Sequence, residues 1–555
     1  MKKAVSIFLT LAIAITLIAG CSSDGSLAPN FLPALSSPES SMRDPAPAAP
    51  PTADISPDEY EYYEGDGWRY MPFDETDEFA SASESPFKDV ITSPLSTFSA
   101  SVDTASYSIM RRQIMSGSNP AGMRIEELIN YFDYDYPAPA PGSEHPFSIT
   151  TEISIAPWAT GHLLAKIGIQ GARLQNTEKI ANNVVFLIDV SGSMNRPDRL
   201  PLVIESMKLL LGQLNENDKI SIVTYAGSDR IIADSVPGSE RQYLVRLLDN
   251  LQAGGSTAGA RGLQTAYELA EKNYIENGNN RIILATDGDF NVGLSSVDDI
   301  IKLVEGERDK GIFISVLGYG MGNLKDTVME AIATNGNGNY AYIDNIQEAK
   351  KLLVDEFDST MFTIAKDVKF QVEFNPETIS AYRLIGYDTR RLENEDFNDD
   401  AKDAGDIGSG HNVTAFFELI PVVTGNGSSS VDPLRYSEVT TTGSDDFMTV
   451  KIRYKDPDGE VSKLVEHSVG PQALQLKVSD NFLFASAVAE FGLIVTDSKY
   501  MNDSSLESVQ HRAKAAVGED SFGLRTEFLT SFVATSGLDN SSPTIPSFVS
   551  GGRFS

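Results

Sequence analysis

The sequence predicts an α/β fold for residues 181–361, built on a doubly wound, mainly parallel sheet. Apolar runs of strand length alternate there with amphipathic stretches of helical period. This alternation is typical of a parallel sheet that is covered by helices on both faces. The predicted strands lie at 184–189, 219–225, 281–286 and 312–317. The predicted helices lie at 201–214, 240–251, 259–276, 296–309 and 346–361.

The regions on either side of this unit have a different pattern. Residues 96–180 combine a helical stretch with alternating, strand-like segments at 147–155 and 163–169. Residues 362–540 are predicted to form an α+β domain, and residues 541–555 a tail. The α/β unit is therefore inserted in, or flanked by, an α+β module. The predicted C-terminal elements are strands at 367–374, 411–423, 447–454 and 461–468 and helices at 480–496, 504–516 and 523–536.

The N-terminus has the features of a secretion signal, predicted for residues 1–20. Two lysines precede an apolar stretch that is too short for a membrane-spanning helix. Ile18-Ala19-Gly20-Cys21 resembles a bacterial lipobox, and Cys21 is the only cysteine, so we expect lipidation there. The alternative is a chance cysteine after an ordinary signal peptide. Ser22 follows Cys21, and a serine at this position favours the outer membrane if the host is Gram-negative. The predicted location is the cell envelope, as a lipid-anchored membrane protein.

Composition limits the classes of partner. Residues 21–95 are rich in Pro, Ser, Ala and acidic residues and cannot bury enough apolar area to offset the entropy of ordering, so we predict a disordered tether. The whole chain has a formal net charge of -34. Such a surface repels nucleic acid, and no nucleic-acid partner is expected.

Oxygen-bearing side chains follow two of the predicted strands. Asp189, Ser191 and Ser193 come directly after the strand at 184–189, and Asp287 ends the strand at 281–286. Thr257 lies in a glycine-rich loop between them. Ligand sites in such sheets lie beyond the carboxyl ends of the strands, and hard oxygen ligands suit Mg²⁺ or Mn²⁺. The alternative is that these side chains merely cap tight turns.

In its ordered set D-x-S-x-S, T and D, this region resembles a von Willebrand factor type A domain, a Rossmann-like fold, with its metal-ion-dependent adhesion site. The resemblance implies that Asp189, Ser191, Ser193, Thr257 and Asp287 hold the metal, partly through water. It also implies that an acidic side chain of a protein partner completes the coordination. The flanks resemble those of one bacterial lipoprotein family, in a segment at 97–107 and in the acidic segment at 395–400.

Two further segments have alternative interpretations. The acidic run 393–406 fits either a calcium-type site or a solvated loop, and the absence of an EF-hand pattern favours the loop. Asp103-Thr104-Ala105-Ser106 imitates the metal motif, but Ala105 occupies the position of its first serine. We predict a helix start there, with Asp103 or Thr104 as the cap.

The sequence thus predicts a non-enzymatic binding protein that presents Mg²⁺ (or Mn²⁺ or Ca²⁺) to an acidic side chain of a protein partner. By analogy with type A domains, the helix at 346–361 is expected to transmit occupancy to the C-terminal module. Two other classes stay open. One is a structural or assembly scaffold lipoprotein in which metal is incidental. The other is a metal-dependent hydrolase, for which no G-x-S-x-G, H-E-x-x-H or P-loop motif is present.

Overall fold

A computed structural model describes residues 84–533, apart from 102, 119, 175–179, 257–258, 289–295, 322–323, 423–442 and 458. The predicted signal peptide, Cys21, the predicted tether up to residue 83 and the predicted tail lie outside these residues. Within the described part, no helix combines the length and the apolar character needed to cross a membrane.

The N-terminal region contributes short strands, two helices and a long hairpin. Its elements are β1 (Lys88–Asp89), β2 (Leu95–Ser99), α1 (Ala105–Met115), α2 (Ile125–Asn130), β3 (Phe147–Ile155) and β4 (Leu163–Gly171).

The α/β unit follows. Its strands are β5 (Asn182–Asp189), β6 (Lys219–Tyr225), β7 (Asp229–Pro237), β8 (Asn279–Thr286), β9 (Ile312–Tyr319) and β10 (Tyr340–Ile343). Its helices are α3 (Leu200–Leu211), α4 (Arg241–Asp249), α5 (Gly259–Lys272), α6 (Val297–Arg308), α7 (Asp326–Asn335), α8 (Ile346–Lys350) and α9 (Phe357–Met361). The strands form one sheet in the order β10-β9-β8-β5-β6-β7, in which only the edge strand β7 pairs in the antiparallel sense.

This sheet is covered on both faces, as the apolar runs predict. Successive residues of β5 point to opposite faces, so Val185 and Leu187 join one apolar cluster while Val184 and Phe186 join the other. Helices α5, α6 and α7 pack in the first cluster, and α3 and α4 pack in the second. The carboxyl ends of β5 and β8, which are parallel neighbours, therefore meet at one edge of the sheet.

The C-terminal region returns to strands and ends in helices. Its elements are β11 (Thr363–Phe374), β12 (Ile379–Ile385), β13 (Gly405–Gly408), β14 (Asn412–Pro421), β15 (Met448–Lys455), β16 (Lys463–Val469), α10 (Asp480–Val495), α11 (Leu506–Ala515) and α12 (Leu524–Glu527). A π-helical stretch, Phe528–Val533, continues α12.

Two sheets from both flanks pack together into one sandwich. One has the order β1-β12-β14-β4-β3, and the other the order β13-β11-β15-β16 with β2 also paired to β11. Their facing side chains form one aromatic-rich cluster, in which Phe98 stacks on Phe370 with ring centroids 5.0 Å apart. Because β4 pairs with β14 along its length, the α/β unit is an insertion between two strand groups of the same sandwich.

The sequence prediction needs correction in three places. Ordered structure begins before residue 96, because β1 pairs with β12 and β2 pairs with β11. The helix at 346–361 is divided into α8 and α9 by a π-helical stretch, Lys351–Asp355. The strands β7, β10, β12 and β13 and the helix α7 were absent from the prediction; β7, β10 and β13 are edge strands.

Buried ion pairs join the α/β unit to the flanking module, and we call them the docking network. Arg111 of α1 contacts Asp344 at 2.5 Å and Glu348 at 2.7 Å, and Arg112 contacts Asp198 at 2.5 Å. The remaining pairs are Arg124 with Asp326 and Glu330, and Arg390 with Glu330. All four arginines belong to the flanking module, and all five carboxylates named belong to the α/β unit.

Helix α2 also buries acidic side chains. Glu127 pairs with Arg124 at 3.1 Å and accepts a hydrogen bond from the backbone N–H of Ser106. Glu126 has no basic partner within 4.0 Å among the described residues. Burial raises the pKa of Glu126 to about 7; the nearby Glu127 charge adds to the rise, and the backbone N–H of Tyr387 opposes it.

We expect Arg111→Met to lower the free energy of unfolding by about 3–5 kcal/mol, because Asp344 and Glu348 would remain buried without a counter-ion. Urea unfolding of both chains measures the change. The control is Lys272→Met, which breaks an exposed pair with Asp234 and is expected to cost less than about 1 kcal/mol. Equal small effects of the two substitutions would contradict the importance of the docking network.

The second expectation concerns pH and Glu126. The folded state keeps a proton that the unfolded state loses, so this group lowers the free energy of unfolding as pH rises from about 4.5 to about 7. Glu126→Gln removes that loss. The free energy of unfolding of Glu126→Gln should equal that of the wild type at pH 4.5 and exceed it by about 3 kcal/mol at pH 7 and above. Urea unfolding at pH 4.5, 6 and 8 tests this, with the exposed Glu240→Gln as control; a flat difference for Glu126→Gln would refute it.

Candidate functional site

The first loop of the candidate site follows β5. Asp189 ends the strand and is fully buried, and its Oδ1 accepts a hydrogen bond from the backbone N–H of Ser191 at 2.8 Å. This local bond turns the chain sharply, as Asp often does. The chain then makes one 3₁₀ turn, Gly192–Met194. As a result the hydroxyl oxygens of Ser191 and Ser193 lie 3.0 Å apart, on the same side of the loop as the carboxylate.

A glycine-rich loop is held against the first one by backbone hydrogen bonds. Gly254 donates to the carbonyl of Val190 at 2.8 Å, and Gly192 donates to the carbonyl of Gly255 at 3.0 Å. Gly255 has φ of +91°, a left-handed conformation that glycine adopts at little cost. The predicted ligand Thr257 follows two residues later and lies outside the described residues.

The third segment follows β8. Asp287 is fully buried, and Gly288 after it has φ of +91°. The hydroxyl of Thr286 donates to Oδ2 of Asp189 at 3.4 Å, which links the ends of the two strands. The structure therefore brings together Asp189, Ser191, Ser193 and Asp287 from two separate segments.

The electrostatics of these residues favour a cation. Burial raises the pKa of Asp189 to about 6. The hydrogen bonds from Ser191 lower it, and the charge of Asp287 raises it again. Asp189 and Asp287 are both buried, the charge of Asp287 raises the pKa of Asp189, and two hydroxyl oxygens lie beside them, so the donor set consists of hard oxygens. Such a set fits a small divalent metal ion that keeps part of its water shell.

Arg199 is the residue of this site that the sequence analysis missed. Its guanidinium forms an ion pair with Asp287 and donates to the carbonyls of Ser193 at 2.8 Å and Met321 at 2.7 Å. It is only 3% exposed. An arginine six residues beyond Ser193 carries no recognisable signal in the sequence, because its partner Asp287 is 88 residues away.

Among the described residues, the acidic run 393–406 gathers no three carboxylates closely enough to hold a metal ion; the one such group is Asp103, Glu127 and Glu330, whose carboxylates pair with Arg124 and Arg390. Within the run 393–406, Asp403 pairs with Arg308 at 2.6 Å and the carboxylate of Asp400 faces Ser462, so the carboxylates point to different neighbours. Helix α1 begins at Ala105 with Thr104 in the N-cap position but without a side-chain capping hydrogen bond, so neither predicted cap residue, Asp103 or Thr104, caps it through its side chain. Asp103 accepts a hydrogen bond from the backbone N–H of Tyr340 and pairs with Arg390, which places it in the buried ion pairs between the two flanks and the α/β unit.

Comparison with known proteins identifies the family. Residues 183–355 match the model of the von Willebrand factor type A domain, and residues 73–166 match a model described as von Willebrand factor. Residues 359–537 match the model of the C-terminal region of the uncharacterized protein YfbK. The Escherichia coli protein YfbK is 42% identical over 476 residues, which cover 83% of this chain and 80% of that protein. The chain belongs to the YfbK family. Its α/β unit is a type A domain.

More distant relatives share only part of the YfbK-family chain. The Synechocystis protein sll0103 is 28% identical over 186 residues, 33% of this chain and 43% of that protein. A human inter-alpha-trypsin inhibitor heavy chain is 24% identical over 203 residues, 35% of this chain and 21% of its own length. The solved structure of a von Willebrand factor type A protein from Catenulispora acidiphila covers 71% of this chain and 92% of its own, with 15% identity and a TM-score of 0.41. The assignment to the type A family thus rests on the family models and on YfbK.

Proposed function

We propose that this protein is a lipid-anchored cell-envelope protein that binds a protein partner through a divalent metal ion in its type A domain. The metal would be held by Asp189, Ser191, Ser193, Thr257 and Asp287. The observation that carries the proposal is the convergence of two buried carboxylates and two hydroxyls at the joined ends of β5 and β8. When bound, Mg²⁺ would supply a Lewis-acidic centre that accepts a carboxylate from the partner.

Arg199 supports an acidic partner rather than a neutral one. Asp189 and Asp287 together balance the charge of one divalent ion. The guanidinium of Arg199, paired with Asp287, then leaves the loaded site with one net positive charge. In a buried position that excess charge favours a Glu or Asp side chain of the partner. The acidic remainder of the chain would repel an acidic partner elsewhere, so recognition would concentrate at this site.

The proposal assigns a role to each part of the chain. Cys21 would carry the lipid, residues 21–83 would span the distance from the membrane, and the sandwich with its inserted type A domain would meet the partner. The proposed partner is a protein and not a nucleic acid, because the net charge of -34 opposes binding to phosphate backbones.

A hydrolytic role has little support from the described residues. Neither Ser191 nor Ser193 contacts a histidine there, and a metal ion would occupy the lone pairs of both hydroxyls. A scaffold role, in which the fold matters and metal does not, is separated from the proposal by the next experiment.

We expect Mg²⁺ to bind the full chain at one saturable site that Asp189→Ala abolishes, because the variant loses a charged ligand. Calorimetry in about 0.15 M salt, which screens the acidic surface, measures this. The control is Asp234→Ala, which removes an exposed carboxylate paired with Lys272 and should leave the isotherm unchanged. Equal isotherms for all three chains would contradict the metal site, and wild-type function of Asp189→Ala in cells would favour the scaffold role.

A second expectation isolates the charge of Arg199. Arg199→Gln should tighten Mg²⁺ binding about tenfold, because it removes a positive charge beside Asp287. Arg199→Lys keeps the charge and should leave the affinity within about threefold of the wild type. Calorimetric titration of the three chains gives the comparison. Equal losses of affinity in both variants would mean that Arg199 acts by holding the loop carbonyls of Ser193 and Met321 and not by its charge.

A further inference from the structure

A second candidate site lies at the opposite edge of the type A sheet. A cavity of about 380 Å³ opens between the amino-terminal ends of β8 and β10 and the sandwich segments around β2 and β13. Its volume is at the lower end of the range of about 300–1,000 Å³ that is usual for small-molecule sites. The lining is dominated by hydroxyl, amide and charged side chains.

Arg281, the third residue of β8, lines this cavity with a buried guanidinium. It is 2% exposed, donates to the hydroxyl of Ser315 at 2.9 Å and lies over the ring of Phe313. Its Nε has no hydrogen-bond partner, and no carboxylate lies within 4.0 Å of it among the described residues. Burial lowers the pKa of Arg281 to about 10.

The other buried arginines of the module differ from Arg281. Arg111 and Arg124 each contact two or more carboxylates, and Arg390 contacts Asp103 and Glu330. Arg525 has no carboxylate contact, but its guanidinium donates to carbonyl oxygens. Burying a guanidinium whose N–H donors lack acceptors costs free energy. An anion that entered the cavity would accept from these donors and relieve that cost.

Asp406 supplies the acceptor of the same cavity. Its Oδ1 accepts from the backbone N–H of Asp367 at 3.2 Å, whereas its Oδ2 is buried and has no partner. Burial raises the pKa of Asp406 to about 7. His411 also lines the cavity and remains neutral, because burial lowers its pKa to about 4. The charge of Arg390 is already balanced, whereas Arg281 and Asp406 carry opposite charges that attract each other without forming an ion pair within 4.0 Å.

We propose that this cavity binds a small monocarboxylate that also carries a hydroxyl or an amino group. The carboxylate would take the unused donors of Arg281, and the hydroxyl or amino group would donate to Oδ2 of Asp406. One guanidinium with an unused donor, in the same cavity as one carboxyl oxygen without a partner, favours a monocarboxylate that also carries a hydrogen-bond donor over a dianionic phosphate. The serine, threonine and asparagine side chains of the wall suit a hydrophilic ligand.

Calorimetry and thermal unfolding of the full chain test this, with glycolate, glycine and L-serine as probes. Acetate, ethanolamine and inorganic phosphate are the comparison compounds, since each lacks one of the required features. We expect at least one of the three probes to bind saturably and raise Tm, and to bind at least about tenfold tighter than every comparison compound. No saturable binding of any probe up to about 10 mM, or tighter binding of phosphate, would overturn the proposal.

Variants separate a binding role of Arg281 from a structural one. Arg281→Met should abolish probe binding and leave Tm without probe unchanged or higher, because it removes an unpaired buried charge. If that chain does not fold, Arg281→Lys keeps the charge without the planar fork and should bind about tenfold more weakly. Asp406→Asn should weaken glycine binding more than glycolate binding. Lys272→Met, which changes an exposed cation in α5, should leave binding unchanged. Probe binding that survives both Arg281 variants would refute the assignment.

Discussion

The fold depends on how the acidic type A domain is held by cationic side chains of the module that surrounds it. Arg111 and Arg112 of α1, Arg124 before α2, and Arg390 after β12 all point into the inserted domain, where each pairs with one or two carboxylates. Apolar burial is not directional, whereas an ion pair out of water requires its partner at one distance and one angle. The docking network therefore fixes the orientation of the insertion, although pairs of this kind add little to stability in comparison with apolar packing.

The docking network is linked to the candidate metal site through the consecutive residues Asp198 and Arg199. Arg112 contacts Asp198, and the next residue, Arg199, holds Asp287 and the carbonyl of Ser193. Arg111 contacts Asp344 and Glu348, directly before and within α8. Helix α1 thus touches both the loop behind the metal ligands and the start of the final helical segment of the type A domain. If the loop or the helical segment moved, the buried ion pair that α1 forms with the other one would have to rearrange. This coupling is a physical route for the expected transmission through 346–361.

The sequence predicts well what is local and repeated. Strands β5, β6, β8 and β9 and their helices were placed to within a few residues, because continuous apolar runs and helical periods are local signals. The candidate ligands Asp189 and Asp287 were predicted from the same signals, since each lies at or next to the end of a strand, and the structure brings both close to Ser191 and Ser193. Metal binding by these residues stays a prediction. What was missed depends on distant partners. Edge strands such as β7 have no continuous apolar run, and the π-helical interruption within 346–361 leaves the apolar pattern almost unchanged.

Ion pairs between residues that are distant in sequence are the feature that the sequence predicts least well, and Asp103 and Arg281 illustrate why. Asp103 stands before a helix and was predicted, with Thr104 as the alternative, to be its cap, but its partner Arg390 is 287 residues away. Arg281 lies within an apolar strand, where nothing nearby in sequence says whether its charge is balanced. In a chain with 44 basic and 78 acidic residues, a buried arginine should find a carboxylate easily. The arginines of the docking network do so, and Arg199 does so at the candidate metal site. Arg281 is buried beside a cavity without an ion pair among the described residues, and this is why we propose that a carboxylate from outside the chain binds there.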